Sequence, residues 1–389
     1  MVEHEENLHG KLHKVECLKR KEQVDYTKMS RNIKKNNTWA ADFDKKHESE
    51  TLELWKSLEV TTENFKKNSL DMTRVCDANS SDPSSSTVTS VHFHPSDSLM
   101  LTSGRDKFLR LFSAQGKEFR KQKSIFFENA PISKARFVCD GNKIVLASGR
   151  NQLYSVDVST SNSEKIEVKQ YDRQISFVES PCSDMMAIIG EKTSVPFVSL
   201  KDHSHIGKIE SRNANDVSFA SNGLHIYTSE NDGNICCWDI RTLRCYERLK
   251  VRGSTLISVS PDHRHLVAGF KHGTVQILTN LLAERNSMKE GLSLEGLETV
   301  KEMNNLTTEI NELNFNNDGQ LLAVSSHKKK NSLRIIHLPS YKVISNWPSN
   351  KTPLHYVSST AFSRNNSYLA VGNARGRVLL YHINNSMLG

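Results

Sequence analysis

The chain has 389 residues, of which 37% are hydrophobic and 25% charged, with a formal net charge of +8 and a pI of about 9.0. No uncharged apolar run approaches the ~18 residues that a membrane span needs, and the opening MVEHEENLHG has no apolar stretch, so a soluble, intracellular protein with no membrane partner is expected. Seven cysteines, an odd number with no C-x-x-C pair, argue against a disulfide framework and fit a reduced compartment.

The first 70 residues hold 14 Lys or Arg against 13 Asp or Glu and few apolar side chains. Such a segment cannot bury enough surface to fold alone. A flexible, partly helical N-terminal extension over 1–70 is therefore expected, and it contributes only +1 of the net charge. The remaining +7 lies on residues 71–389, a basic balance that suits an acidic partner such as a phosphate backbone.

From Val88 onward one plan recurs: a strand ending in a large apolar residue, a tight polar turn, then a second apolar strand. It is visible in FHPSDSLMLTSG from Phe93, FVCDGNKIVLASG from Phe137, FASNGLHIYTSE from Phe219, VSPDHRHLVAG from Val259, FNNDGQLLAVSS from Phe315 and FSRNNSYLAVGN from Phe362. A poorer copy, ESPCSDMMAIIG, starts at Glu179. The seven turns, at Asp97, Gly141, Ser183, Gly223, His263, Gly319 and Asn366, are 44, 42, 40, 40, 56 and 47 residues apart. Four-stranded propeller blades repeat every ~40 to 45 residues.

A third strand follows each time after a second turn, such as Asn231-Asp232-Gly233, whose Asp-Gly pair is a strong hairpin signal. It ends in Phe112-Ser113, Val156-Asp157, Val198-Ser199, Trp238-Asp239, Leu278-Thr279, Ile336-His337 and Tyr381-His382. The single Trp-Asp pair is thus one form of a degenerate position, a large side chain packing between blades. A lone blade exposes both faces and becomes stable only in a ring. The fold class predicted is all-β, a seven-bladed WD40-type β-propeller over residues 71–389.

Within it the third blade looks weakest, because Glu179 replaces the apolar anchor and Pro196 falls in a strand, where it removes a ladder donor. The step of 56 residues predicts an insertion over 280–308 between blades five and six, either a partner-binding helix or a loop. After Phe362, Leu369 to Val371 and Val378 to Tyr381 the last blade lacks one strand. DMTRVCD, Asp71 to Asp77, is predicted to supply it and so to cover an open sheet edge.

Catalytic signatures are not found: there is no phosphate loop, nucleophile elbow or H-E-x-x-H helix, and no cofactor, small-molecule substrate or enzymatic activity is expected. The His pairs His203 with His205 and His263 with His265 lack a third ligand nearby, so no metal site is expected. Adjacent Cys236 and Cys237 on one strand point to opposite faces and read as core filler. The chemistry that stands out is basic: SSHKKKNS puts Lys328, Lys329 and Lys330 in the second hairpin turn of blade six, and NARGRV puts Arg375 and Arg377 in the equivalent turn of blade seven. A phosphate-bearing strand could lie across both turns, releasing counterions as it binds. No aromatic residues are interleaved with these cations, which argues against sequence-specific single-strand recognition.

Several strings go beyond a generic propeller: VTSVHFHPSDSLMLTSGRDKFLRLF from Val88, LRIIHLPSYKVISNWP from Leu333 and LAVGNARGRVLLYHI from Leu369. Together with CDANSSD after the closing strand, TTENF at Thr61 to Phe65 and NNTWAADFDKK around Trp39-Ala40, in the same order, they resemble the U3 small nucleolar RNA-associated protein 18 family of seven-bladed propellers. The resemblance runs from about Tyr26 to Ile383. It implies a nucleolar, nuclear, non-catalytic scaffold of the small-subunit processome, in the Utp B subcomplex with other propellers. Such a scaffold would engage pre-ribosomal RNA and the U3 small nucleolar RNA, directly or indirectly, in maturing 18S ribosomal RNA. It also implies that Trp39, Ala40 and Phe43 lie in an extended peptide laid on partner propellers, with Trp39 as buried anchor. Recruitment of the exosome helicase is not implied, because no convincing copy of that docking motif is found. An alternative comes from Trp238-Asp239-Ile240-Arg241, which fits the W-D-x-R pattern by which propellers dock on a cullin-4 ubiquitin-ligase adaptor.

Overall fold

The computed structural model describes residues 69–384 apart from 97, 116–117, 129, 150–151, 167–175, 183, 191–192, 252, 280–298 and 350–351. The leader, with Trp39, Ala40 and Phe43, the turn positions Asp97 and Ser183, and most of the expected insertion lie outside the described residues.

Among the described residues, twenty-eight strands form seven four-stranded antiparallel sheets. A first strand, β1 (Met72–Asp77), precedes blade one, which comprises β2 (Val88–Phe93), β3 (Leu99–Gly104), β4 (Phe108–Gln115) and β5 (Glu118–Phe126). Blade two has β6 (Ile132–Val138), β7 (Lys143–Ser148), β8 (Leu153–Asp157) and β9 (Ser163–Ile166); blade three has β10 (Ser176–Glu179), β11 (Met185–Ile189), β12 (Val195–Ser199) and β13 (His205–Ile209). Blade four has β14 (Ala214–Phe219), β15 (His225–Glu230), β16 (Asn234–Asp239) and β17 (Arg244–Lys250). Blade five has β18 (Ser254–Val259), β19 (His265–Phe270), β20 (Val275–Thr279) and β21 (Thr299–Met303). Blade six has β22 (Glu312–Phe315), β23 (Leu321–Ser325), β24 (Leu333–His337) and β25 (Lys342–Val343), and blade seven β26 (Val357–Phe362), β27 (Tyr368–Asn373) and β28 (Val378–Ile383). Each first strand touches the first strands of its two neighbours, and the contacts close into a ring around a central channel.

The third-strand position behaves as one buried site: Phe112, Val156, Val198, Trp238, Leu278, Ile336 and Tyr381 are all buried. Trp238 lies among residues of blades three and four, including Phe197 and Phe219, and its indole N–H donates to Thr228 Oγ1 at 3.0 Å. Shape and apolar area select this residue, and the bond to Thr228 satisfies the indole N–H that a buried Trp brings with it. On the same strand Cys236 packs toward blade three and Cys237 toward blade five, so the adjacent pair fills two different interfaces. Burial pushes both thiols up, which keeps them protonated.

Closure comes from the front of the propeller. Strand β1 pairs with β28 from Met72–Ile383 to Asp77–Leu379, with a bulge between Arg74 and Cys76. Leu70, just before it, is fully buried beside Ile344, Trp347 and Tyr381. Its backbone is clamped by one amide: Leu70 N–H donates to Asn346 Oδ1 at 3.0 Å and Asn346 Nδ2 donates to the Leu70 carbonyl at 2.9 Å. Beyond β1, Asn79 Nδ2 donates to the Gly376 carbonyl at 2.7 Å and Val378 N–H donates to Asn79 Oδ1 at 2.9 Å. Gly376 has φ +79°, and a Cβ there would come within 1.9 Å of the Ser84 carbonyl oxygen, so only glycine lets the two segments meet.

Two expectations need correction. The insertion is shorter than 280–308, because Thr299–Met303 is the outer strand of blade five, pairing from Val275–Met303 to Leu278–Thr299. Four of its five side chains are exposed, so it lacks the apolar alternation by which strands are read. Blade three, expected to be weak, is a complete sheet. Phe177, two residues before Glu179, is fully buried and supplies the missing apolar mass. Pro196 has a local effect: the β11–β12 ladder ends at Ala187–Phe197 with three registered pairs, whereas the corresponding ladder of blade four has five.

The inner edges of the sheets face the channel and cannot pair with another strand, so side chains of the preceding blade accept from their N–H groups. Ser359 Oγ accepts from Val91 at 3.1 Å, Ser90 Oγ from Ala135 at 3.0 Å, and His92 Nδ1 from Phe137 at 3.3 Å. Asp216 Oδ2 accepts from Ile257 at 3.0 Å and Ser218 Oγ from Val259 at 3.1 Å. In blade two the matching positions hold Lys134 and Arg136, which have donors only and cannot serve. These cations instead face the channel carboxylates Glu179, Asp216 and Glu312. Burial pushes Asp216 up to about 6 and Glu312 up to about 7, and pulls Lys134 down to about 8.

Two outcomes are expected. Leu70→Ala should lower the unfolding free energy by about 2–5 kcal/mol, and a chain beginning at Thr87 should melt well below the full chain; equal melting temperatures would exclude closure by β1. The native Asp216 and Glu312 hold protons that the unfolded chain releases near pH 4, so their contribution to stability falls as pH rises from about 4 to about 7. Asp216→Asn with Glu312→Gln should therefore flatten the loss of melting temperature across that interval, below the titration of Lys134; an unchanged slope would contradict this.

Candidate nucleic-acid interface

The five cations singled out from the sequence occupy two adjacent turns, and all five are exposed. Lys328, Lys329 and Lys330 lie between β23 and β24, and Arg375 and Arg377 lie between β27 and β28. One short segment, His355-Tyr356 on the way into blade seven, ties the turns together. Asn331 N–H donates to the His355 carbonyl at 2.7 Å, and His355 N–H returns a bond to Asn331 Oδ1 at 2.8 Å. On the other side Ala374 N–H donates to the Tyr356 carbonyl at 2.9 Å. Asn373 then accepts from Arg375 and Arg377 N–H at 3.0 and 3.2 Å, which fixes the blade-seven turn. The cations thus stand on a bonded framework, which reduces the entropy lost when a ligand orders them.

The five are not equivalent. Lys328 Nζ lies 2.5 Å from Glu309 and Arg377 lies 3.4 Å from Asp77, the last residue of the closing strand. Among the described residues, Lys329, Lys330 and Arg375 have no carboxylate within 4.0 Å, so their charge is available to an anion. Burial first, then the charges of Arg375, Lys330 and Arg377, hold the His355 imidazole below its usual range. Near neutral pH the His355 ring therefore adds little positive charge of its own to the two turns.

Three contributors were not legible as a group. Arg105 sits in the blade-one turn equivalent to those of Lys328–Lys330 and Arg375, and its N–H donates to the Thr87 carbonyl at 3.1 Å. Its side chain is exposed and has no carboxylate partner among the described residues. Comparing the same turn across all blades would have found it. His327 and Tyr356 complete the set. Tyr356 is 39% exposed and the Lys330 ammonium lies 5.8 Å from its ring centroid. The expectation that no aromatic accompanies these cations is therefore corrected: the ring arrives from a segment 26 residues downstream of Lys330, and only the fold places it there.

A cavity of about 340 Å³ opens beside these turns, where the inner strands of blades one, two and seven begin. Arg105, His327 and Tyr356 stand on its sides, and Thr89, Ser133 and Ser358 on the strands beneath. A neighbouring cavity of about 280 Å³ shares Arg105, Thr89 and Ser133 and extends to Gly149 in blade two.

The remaining sequence candidates have local structural roles. Asp239 accepts from Arg241 N–H at 2.8 Å and pairs with its guanidinium at 3.1 Å, which caps the turn into β17 and, led by the hydrogen bond from that guanidinium, lowers the Asp239 carboxyl. Asp157 caps its turn in the same way through Ser159 and Thr160, each N–H at 2.9 Å. His265 Nε2 lies 3.0 Å from the Tyr341 hydroxyl, and His203 lies 3.9 Å from Glu164.

The fold and its repeats define a class, the WD40-type seven-bladed propeller. The family described as WD domain, G-beta repeat matches residues 75–113 and 197–239. Both matches begin in one blade and end on the third strand of the next, so the sequence repeat is shifted by one strand or more from the structural blade. Within this class the chain is similar to proteins named U3 small nucleolar RNA-associated protein 18, as the strings read from the sequence indicated. It is 34% identical over 318 residues to the U3 small nucleolar RNA-associated protein 18 homolog of Arabidopsis thaliana, covering 81% of this chain and 57% of that protein. The Homo sapiens homolog is 30% identical over 335 residues, covering 83% and 58%, and U3 small nucleolar RNA-associated protein 18 of Saccharomyces cerevisiae is 30% identical over 369 residues, covering 81% and 61%. The chain thus spans about three fifths of the length of these relatives.

The framework makes a separable prediction. Asn331→Ala should remove the acceptor of His355 N–H, leaving only the backbone bond from residue 331 to the His355 carbonyl, and so loosen the blade-six turn, giving faster amide exchange at residues 327–331 while the melting temperature changes by only a few degrees. Unchanged exchange would show that the turn holds its shape without that contact.

Proposed function

We propose that this protein is a non-catalytic scaffold of the small-subunit processome, acting in U3-dependent processing of pre-ribosomal RNA and in 18S ribosomal RNA maturation. The observation that carries the reading is the similarity, across more than four fifths of the chain, to proteins named for association with the U3 small nucleolar RNA. On this reading the protein works in the nucleolus of the nucleus, beside other processome proteins including the Utp B subcomplex. Trp39, Ala40 and Phe43 would serve as its peptide contact to partner propellers. The relatives carry the U3 name, and the ubiquitin-ligase alternative is not carried forward.

The chemistry at the channel mouth supports a direct RNA contact. Lys329, Lys330 and Arg375, free of carboxylates and held on adjacent turns, would neutralise phosphates of one strand, with Lys328 and Arg377 contributing less because Glu309 and Asp77 already balance them. Binding carried by phosphates weakens with salt in proportion to the number neutralised, by about 0.7 in the logarithmic slope per phosphate for a single strand.

Affinity purification from nuclear extract should recover U3 RNA together with processome proteins. In vitro, replacing Lys329, Lys330 and Arg375 by Gln should weaken RNA binding and make the salt slope shallower by about 2, whereas Lys328→Gln alone should change it little. Purification without U3 RNA, or a slope unaffected by the triple change, would contradict the respective part of the proposal.

A further inference from the structure

We infer that the cavity at the channel mouth is a subsite for one unpaired ribonucleotide, its base stacked on Tyr356 and an adjoining phosphate held by Arg105. This rests on the RNA-facing reading above and extends it from charge to recognition.

At about 340 Å³ the cavity is within the range of small-ligand sites, and it carries three different kinds of group. The first is an aromatic platform. Tyr356 is 39% exposed, its backbone is held by Ala374 and that of its neighbour His355 by Asn331, and the Lys330 ammonium lies 5.8 Å from its ring centroid, so an exposed ring stands beside a cation on a fixed main chain. The second is the cation of Arg105, which lines both this cavity and the adjoining one of about 280 Å³. A phosphate linking two successive nucleotides would sit where the two cavities meet.

The third group discriminates between anionic ligands. The Thr89 hydroxyl donates to the Ile132 carbonyl at 2.9 Å, Ser133 to Ala147 at 3.0 Å, and Ser358 to Val88 at 2.5 Å. Their hydrogens are committed, so to a ligand these hydroxyls can only accept. A ligand must therefore bring N–H or O–H donors to these oxygens and a negative charge to the rim. A nucleotide does both, through a base amino group or the ribose 2′-hydroxyl and through its phosphate. An aspartate or glutamate side chain would satisfy Arg105 but set its own lone pairs against the hydroxyl oxygens. In a duplex the bases are already stacked and their pairing edges occupied, so only an unpaired nucleotide reaches the ring.

The test uses the full chain and fluorescence anisotropy with a short mixed-sequence RNA, presented as a single strand and as a duplex with its complement. Tyr356→Ala should weaken single-strand binding roughly 5- to 100-fold and leave duplex binding within about twofold, the range that one base stacked on an aromatic ring commands. Tyr356→Phe, which keeps the ring, should bind like the parent. The Lys329, Lys330 and Arg375 triple change should weaken both forms. If Tyr356→Ala binds the single strand normally while the triple change does not, the subsite is wrong and the phosphate-facing reading stands. If neither matters, both fall. Displacement of the RNA by an Asp- and Glu-rich peptide at comparable concentration would overturn the nucleotide assignment in favour of a protein ligand.

Discussion

Pairing of β1 with β28 is the constraint on which the other features of the propeller depend. A ring of sheets has no free face only when its last sheet is whole, and the last three strands of this chain leave that sheet one short. The missing strand comes from the opposite end of the propeller, so seven local hairpin systems become one closed object through a single non-local ladder. The same shift appears in the repeat itself: the matched unit over 75–113 opens in β1 of blade seven and ends at the third strand of blade one. Each unit thus spans a blade boundary, and the ring interlocks wherever one unit ends.

Closure also shapes the basic surface. Asp77 at the end of β1 lies against Arg377, while Asn79 Nδ2 and Ser84 N–H both donate to the Gly376 carbonyl. The turn presenting Arg375 is thereby held by the closing segment as much as by its own hairpin. From there bonds run through Tyr356, His355 and Asn331 to the lysine turn. Charge that would be weakly placed on independent loops is therefore displayed along one connected arc of blades six, seven and one. Within the channel the electrostatics differ: Lys134 and Arg136 share it with Glu179, Asp216 and Glu312, all half-buried, and loss of water there favours the neutral carboxyls. The mouth offers net positive charge to solvent, whereas the interior keeps mixed charge to itself.

Much of this was legible in the residues. Turns such as Asn222-Gly223 and Asp232-Gly233 between apolar runs carry their conformation locally, with φ +67° at Gly223 and +87° at Gly233, so blade number and strand order could be read. The closing strand followed from counting strands in the final blade. What escaped depended on burial or on distance in sequence. Thr299–Met303 is an outer strand facing water and has no apolar rhythm to betray it. Glu179 makes the third blade read as weak because the compensating Phe177 sits one strand period earlier on the same face. The lysine and arginine turns were visible as charge, but Tyr356 joins them only through the packing of blade seven on blade six.

The most direct measurement is ultraviolet crosslinking of bound RNA in the native particle, followed by identification of the crosslinked peptides. A closed ring displaying its basic arc to RNA predicts adducts in the turns around Lys329, Tyr356, Arg375 and Arg105 together. Adducts confined to blades three and four, with none from those four turns, would contradict it.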